Sequence, residues 1–151
     1  MPKGHDGKVA AALAQVLADT YTLYLKTHAF HWNVEGPHFY ALHGMFEGQY
    51  KELWAAIDEL AERIRALGVK APASGAALAK LASVAEAQSV PSALSMVAEL
   101  HAGHQATLKT IWRALKVAQA EGDEGTADML IGRIEAHDKT AWTLASTLKK
   151  A

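Results

Sequence analysis

Five side chains in one stretch of this chain have the chemistry to hold a hard or borderline metal ion: His31, His43, Glu47, Asp58 and Glu62. Their positions constrain how they can meet. Gly36-Pro37 lies between the two histidines and is suited to stop one helix and open the next. From His38 to Leu67 there is no proline, and apolar residues recur at Phe39, Leu42, Phe46, Leu53, Ile57, Leu60, Ile64 and Leu67. That spacing predicts one long amphipathic helix. With His43 set at zero on a helical wheel, Glu47, Asp58 and Glu62 fall near ~40°, ~60° and ~100°, whereas the apolar stripe centres near about −80°. The candidate ligands therefore share a face that does not pack the subunit's own core.

Their heights along the helix disagree. The His43/Glu47 pair and the Asp58/Glu62 pair are 11 to 19 residues apart. This is roughly 16–29 Å at helical rise, whereas metal–ligand bonds are only about 2.0–2.6 Å long. One helix cannot bring both pairs to one ion. Two copies running antiparallel about a twofold axis can, because the histidine end of one then meets the acidic end of the other. Such a contact repeats itself, giving two equivalent sites per dimer. Taken singly, a histidine on an apolar flank such as His31 is more often a core residue. Acids at i,i+4 such as Asp58 and Glu62 are more often a solvated face, here with Arg63 and Arg65 nearby. Their convergence on one interfacial geometry, with Trp32 and Trp54 beside them, favours a metal site.

Composition narrows the class. The chain of 151 residues is the size of one ordinary domain, and half of its residues are hydrophobic, alanine prominent among them. Net charge is −1, which gives no overall drive toward nucleic acid or acidic membranes. With no cysteine, disulfides, thiolate chemistry and zinc fingers are excluded. The opening MPKGHDGK lacks an apolar signal core and no run approaches the ~20 apolar residues of a membrane span, so a cytoplasmic protein is expected.

The elements that must position the ligands read as four helices in an all-α chain. Residues 1–7 are expected to be a short flexible tail and 8–151 a single domain. The first helix is predicted from about Lys8 to Val34, with Val9, Leu13, Val16, Thr20, Leu23, Thr27 and Phe30 on one stripe. His31 extends a second row, Leu17–Tyr24–His31. The second helix ends at Gly68, a C-terminal cap. VKAPASG reads as a loop, AALAKLASV as a short extra helix in the connection, and Ser92 lies near the start of a third helix running to about Ala120. EGDEGT breaks the chain, with Asp123 or Thr126 as cap, and the last helix covers about Thr126 to Leu148. Short turns make two antiparallel hairpins. The long second connection allows a crossover, the ferritin-like four-helix arrangement. A buried di-iron site inside such a bundle needs Glu-x-x-His within helices, and the one such spacing, Glu35 to His38, spans the turn. His101 and His104 read as structural or surface residues and His137 as a packed histidine. Asp123, Glu124 and Asp128 read as a cap and a solvated break, or as a path for cations where subunits meet.

The run His31-Trp32-x-Val34-x-Gly36, continued by Leu42-His43-x-x-x-Glu47, resembles the first signature of the Dps family, the DNA-protection-during-starvation mini-ferritins. Ile57-Asp58-x-Leu60-Ala61-Glu62-Arg63, followed by Leu67-Gly68, resembles the second. The likeness extends over nearly the whole chain, to the closing HDKTAW segment. It implies a hollow dodecamer with a ferroxidase centre at each twofold interface. His31, His43 and Glu47 would come from one subunit and Asp58 and Glu62 from its partner. Many relatives have Asp where this chain has Glu47, and the extra methylene would alter spacing and affinity. By the same resemblance the substrates are Fe(II) and hydrogen peroxide, with two irons at a centre and ferric oxyhydroxide stored in the cavity. Mixed imidazole and carboxylate ligands suit Fe(II) and favour the harder Fe(III). Trp32 would take up stray oxidising equivalents, and Asp123 and Asp128 are candidates for an acidic pore that admits iron. The alternative is a nucleoid-architectural DNA-binding protein with little dependence on the metal site. It is the weaker expectation: Lys3 and Lys8 at one end and Lys149 and Lys150 at the other offer few phosphate contacts.

Overall fold

The computed structural model describes residues 4–150. Five helices follow in order: α1 (Gly4–Asn33), α2 (Phe39–Ala66), α3 (Gly75–Leu81), α4 (Ala93–Ala120) and α5 (Glu124–Leu148). There is no strand among the described residues. α1 begins at Gly4, ahead of the expected start at Lys8. Asp6 in its first turn favours the exposed amides of a helix N-terminus, and Val9 and Ala10 anchor the turn that follows. Of the expected tail, residues 1–3 lie outside the described residues.

The predicted apolar rows are the buried ones. Val9, Leu13, Val16, Thr20, Leu23, Thr27 and Phe30 of α1 are all buried, as are Leu42, Phe46, Leu53, Leu60 and Ile64 of α2. Each large apolar side chain so buried contributes about 1.5–3 kcal/mol. Three members of the α2 row depart from the pattern: Ile57 and Leu67 are only partly buried, and Phe39, at the first position of α2, is half exposed and stacks on His43 instead of entering the core.

Pairs of residues fix the helix directions. His31 meets His43 and Tyr24 meets Trp54, so α2 runs antiparallel to α1. Lys8–Glu121, Asp19–Thr110 and Lys26–Glu99 set α4 antiparallel to α1, and the tight turn closed by the Asp123 amide on the Ala118 carbonyl, with His104 against His137 further along, sets α5 antiparallel to α4. α2 and α4 are therefore parallel, and the chain between them must return along the whole bundle. This is the ferritin-like crossover.

The connection is built from local signals. Gly68, at φ 83°, adopts the left-handed conformation that lets the amides of Leu67, Gly68 and Val69 close on the last carbonyls of α2. Ser74 caps α3 by accepting the Ala77 amide, and Ser92 caps α4 by accepting that of Ser95. α3 lies against α1 and stops at Leu81, so the tail of AALAKLASV is not helical. Instead Ser83 and Val84 bond to the buried carboxylate of Asp19.

α4 approaches α1 closely at Gly103, where an added Cβ would lie 2.7 Å from Leu23 Cδ1. Leu23 is itself wholly buried and has little room to yield. Gly103→Ala is therefore expected to destabilise by about 1–2 kcal/mol, the overpacking outweighing the better helix propensity. The shift of the urea midpoint measures it, and a stabilised variant would show that the two helices have slack at this point.

Candidate metal centre

His31 lies near the end of α1 and His43 in the second turn of α2. The turn between them is made by Gly36, whose φ of 108° is open to glycine and costly for other residues. It folds the two imidazoles face to face, centroids 3.8 Å apart and planes 14° from parallel. Each ring then donates to the other's main chain: His31 Nδ1 to the His43 carbonyl at 2.7 Å, and His43 Nδ1 to the His31 carbonyl at 2.8 Å. A carbonyl can only accept, so both Nδ1 atoms carry hydrogen. In the neutral rings both Nε2 atoms therefore hold lone pairs. This is the tautomer a metal requires, fixed by the partner of the other ring nitrogen.

Glu47 follows one turn after His43 on the same face, half exposed and paired with Lys51 at 3.3 Å. Asp58 and Glu62 are exposed further along α2. Among the described residues of one chain, no three histidine or acidic side chains gather into a group able to hold a metal ion. The donor set fits iron in kind, with two oriented nitrogens and three carboxylates, but a single subunit spreads it over two places.

Around the histidines is an aromatic cluster that the sequence reading largely missed. The His28 ring stacks on Tyr50 at 3.8 Å and lies 4.4 Å from Trp32, while Tyr24 Oη and His28 Nδ1 are 3.0 Å apart. Burial, with the nearby His31, lowers the His28 pKa, and burial, with Tyr21 and Tyr50, raises that of Tyr24. The signal was present in the heptad row Tyr24–His31, which passes one turn from His28. Trp32 and Trp54, each more than 60% exposed, border the cluster through His28 and Tyr24 respectively.

The two acids expected to line a pore differ in situation. Asp123 caps α5 through the Thr126 amide and hydroxyl, and Arg63 of α2 binds it at 2.8 Å. Burial pushes its carboxyl up, but the bonds from Thr126 and the Arg63 guanidinium prevail and hold it below the usual carboxylate range. Asp128 is exposed, one turn further on. His104 and His137 are wholly buried between α4 and α5, as structural histidines, while His101 is half buried.

A five-helix chain with this crossover, and with its candidate ligands on the first two helices, has the architecture of a ferritin-like protein. The sequence profile of the ferritin-like domain matches residues 10–151. The chain is 36% identical over 143 residues to DNA protection during starvation protein 2 of Bacillus anthracis, covering 95% of this chain and 98% of that one. Its fold matches the X-ray structure of Dps from Thermosynechococcus elongatus with a TM-score of 0.94, at 32% identity and over 97% and 94% of the two chains. Dps of Vibrio cholerae O1, described as a member of a broad superfamily of ferritin-like diiron-carboxylate proteins, matches with a TM-score of 0.92 at 34% identity, over 96% and 91%. The chain belongs to the Dps family.

Among the described residues, no helix is long and apolar enough to cross a membrane.

Proposed function

We propose that this chain is a mini-ferritin ferroxidase, which oxidises Fe(II) at sites shared between two subunits and stores the ferric product in a hollow oligomer. The observation that carries the reading is the reciprocal imidazole–carbonyl lock, which fixes both Nδ1 atoms as donors and leaves the Nε2 lone pairs of two stacked rings free for a metal. Glu47 adds a carboxylate from the same subunit, and Asp58 and Glu62 would come from its partner across a twofold axis. The assembly implied by the family resemblance is a dodecamer.

In this reading hydrogen peroxide is the preferred oxidant. It takes one electron from each of two Fe(II) ions and combines with two protons to give two waters, so no hydroxyl radical is released. Trp32 would intercept oxidising equivalents that escape this pairing. A pore for incoming Fe(II) would draw its field chiefly from Asp128 and Glu124, because the charge of Asp123 is already balanced by Arg63. Protection of DNA would follow from removal of iron and peroxide. Coating of DNA is the weaker reading, because a net charge of −1 gives no overall attraction to phosphate.

Anaerobic titration of the assembled protein with Fe(II) is expected to break at about two ions per subunit, as in a two-metal site. Added peroxide should then oxidise them at about one peroxide per two irons and faster than air-saturated buffer does. Titration without a break, or oxidation no faster than that of Fe(II) in buffer, would overturn the proposal.

A further inference from the structure

The interior of the bundle holds a second histidine pair with no part in the metal centre. His104 of α4 and His137 of α5 face each other, Nδ1 to Nδ1 at 2.8 Å, and both are 1% exposed. Arg133, one turn before His137, approaches His137 Nε2 at 3.1 Å and binds Glu52 of α2 through both terminal nitrogens.

These contacts assign every proton. A guanidinium can only donate, so His137 Nε2 holds a lone pair and its hydrogen is on Nδ1. That hydrogen is donated to His104 Nδ1, which must accept, and the His104 hydrogen is therefore on Nε2, an atom with no partner among the described residues. Polar order runs one way, from Arg133 through His137 to His104. Only two nitrogens could take up a further proton, His137 Nε2 and His104 Nδ1, and each already faces a donor. Protonation at either would set hydrogen against hydrogen at about 3 Å, beside a guanidinium and away from water.

We propose that His104 and His137 form an acid-sensitive latch between α4 and α5: closed while both rings are neutral, and released by proton uptake as the pH falls. The charged and titratable groups around the pair favour the neutral state. Arg133 on α5 and His101 on α4 both oppose a further positive charge, and Glu52 on α2 is engaged by Arg133. On α1, Asp19 is bound to Ser83, Val84 and Thr110, and Lys26 to Ala85 and Glu99. Burial is the largest cause of the lowered affinity for protons, which brings His104 to about 3 and His137 well below the ordinary value of 6.5.

The sign follows from linkage. Between about 6.5 and the depressed folded-state values, the unfolded chain binds these protons and the folded chain does not. Stability contributed by the neutral pair is thus complete above about pH 6.5 and is lost as pH falls below it. With two histidines the folding equilibrium constant falls by up to about 100-fold per pH unit.

The test uses the full assembled protein, with urea midpoints, helix content and assembly size followed from pH 7.5 to 5, above the range where most carboxylates titrate. In the double variant His104→Gln/His137→Gln each amide can accept on one side and donate on the other, so the order of the chain survives without titration. It should take up about two fewer protons per subunit on unfolding than the wild type and show a correspondingly flatter acid limb. The single variant His104→Gln should remove about one, and decides the matter if the double variant fails to assemble. An acid limb unchanged in these variants would overturn the latch. The outcome is independent of iron chemistry, since all measurements are made without metal.

Discussion

Subunits carrying His43→Ala and subunits carrying Asp58→Asn, each inactive alone in peroxide-driven Fe(II) oxidation, are expected to regain activity when unfolded together and reassembled. Each parent should lose about 10²-fold or more, since even supporting residues of metal sites are worth 10–100-fold. In a mixed dimer one site carries both lesions. The other takes His31, His43 and Glu47 from the Asp58→Asn subunit and Asp58 and Glu62 from the His43→Ala subunit, and is intact. Random pairing makes half of the dimers mixed, each with one good site of two, so activity should return to about a quarter of the wild-type value. If all five ligands served one subunit's own site, no chain in the mixture would possess a complete set and nothing would be recovered. Wild-type protein taken through the same cycle fixes the scale. A mixture no more active than its parents would exclude sharing of ligands across the interface.

That expectation was legible in the sequence because helical rise is indifferent to context: residues 43 and 58 of one continuous helix are far apart whatever surrounds them. The helices themselves were legible for a similar reason, since Val9 to Phe30 and Leu42 to Ile64 repeat at the period of a buried face and are buried. Other features depend on how separate elements meet, which no local pattern records. The lock between His31 and His43 requires the left-handed turn at Gly36 to set two carbonyls beside two rings. Asp123 and Asp128 look alike in the sequence, and only the arrival of Arg63 from α2 separates a neutralised cap from an exposed charge. Arg133 and Glu52 lie 81 positions apart, and the place of Arg133 in the bundle interior follows from packing alone. His28 was within reach of a helical wheel, but its role as the centre of an aromatic cluster depends on Tyr50 from the neighbouring helix.

Asp19→Ala should be among the most destabilising substitutions in the bundle, lowering stability by about 3–5 kcal/mol. The wild-type carboxylate is wholly buried and accepts four hydrogen bonds. Ser83 and Val84 donate their amides to Oδ1 at 2.5 and 3.0 Å, and the hydroxyls of Ser83 and Thr110 donate to Oδ2, both at 2.6 Å. It thereby supplies acceptors to a stretch of the crossover that has no helix of its own, and fastens that stretch to α1 and α4 at once. Val84, buried beside Gly103, is the apolar plug that this fastening seats. Alanine would leave two main-chain amides and two hydroxyls facing a void, and buried amides left unpaired cost about 1–3 kcal/mol each. Asp19→Asn keeps one oxygen for the amides and turns a donor toward the hydroxyls, which can rotate to accept it. It should lose only about 1–2 kcal/mol. Because the helices retain their own hydrogen bonds, the far-ultraviolet signal at neutral pH should change little in either variant. Amide exchange at Ser83 and Val84 should accelerate strongly in Asp19→Ala, and proteolysis should begin within residues 82–91. Retention of wild-type protection at those two amides in Asp19→Ala would show that packing of Val84 alone holds the crossover, with the carboxylate dispensable.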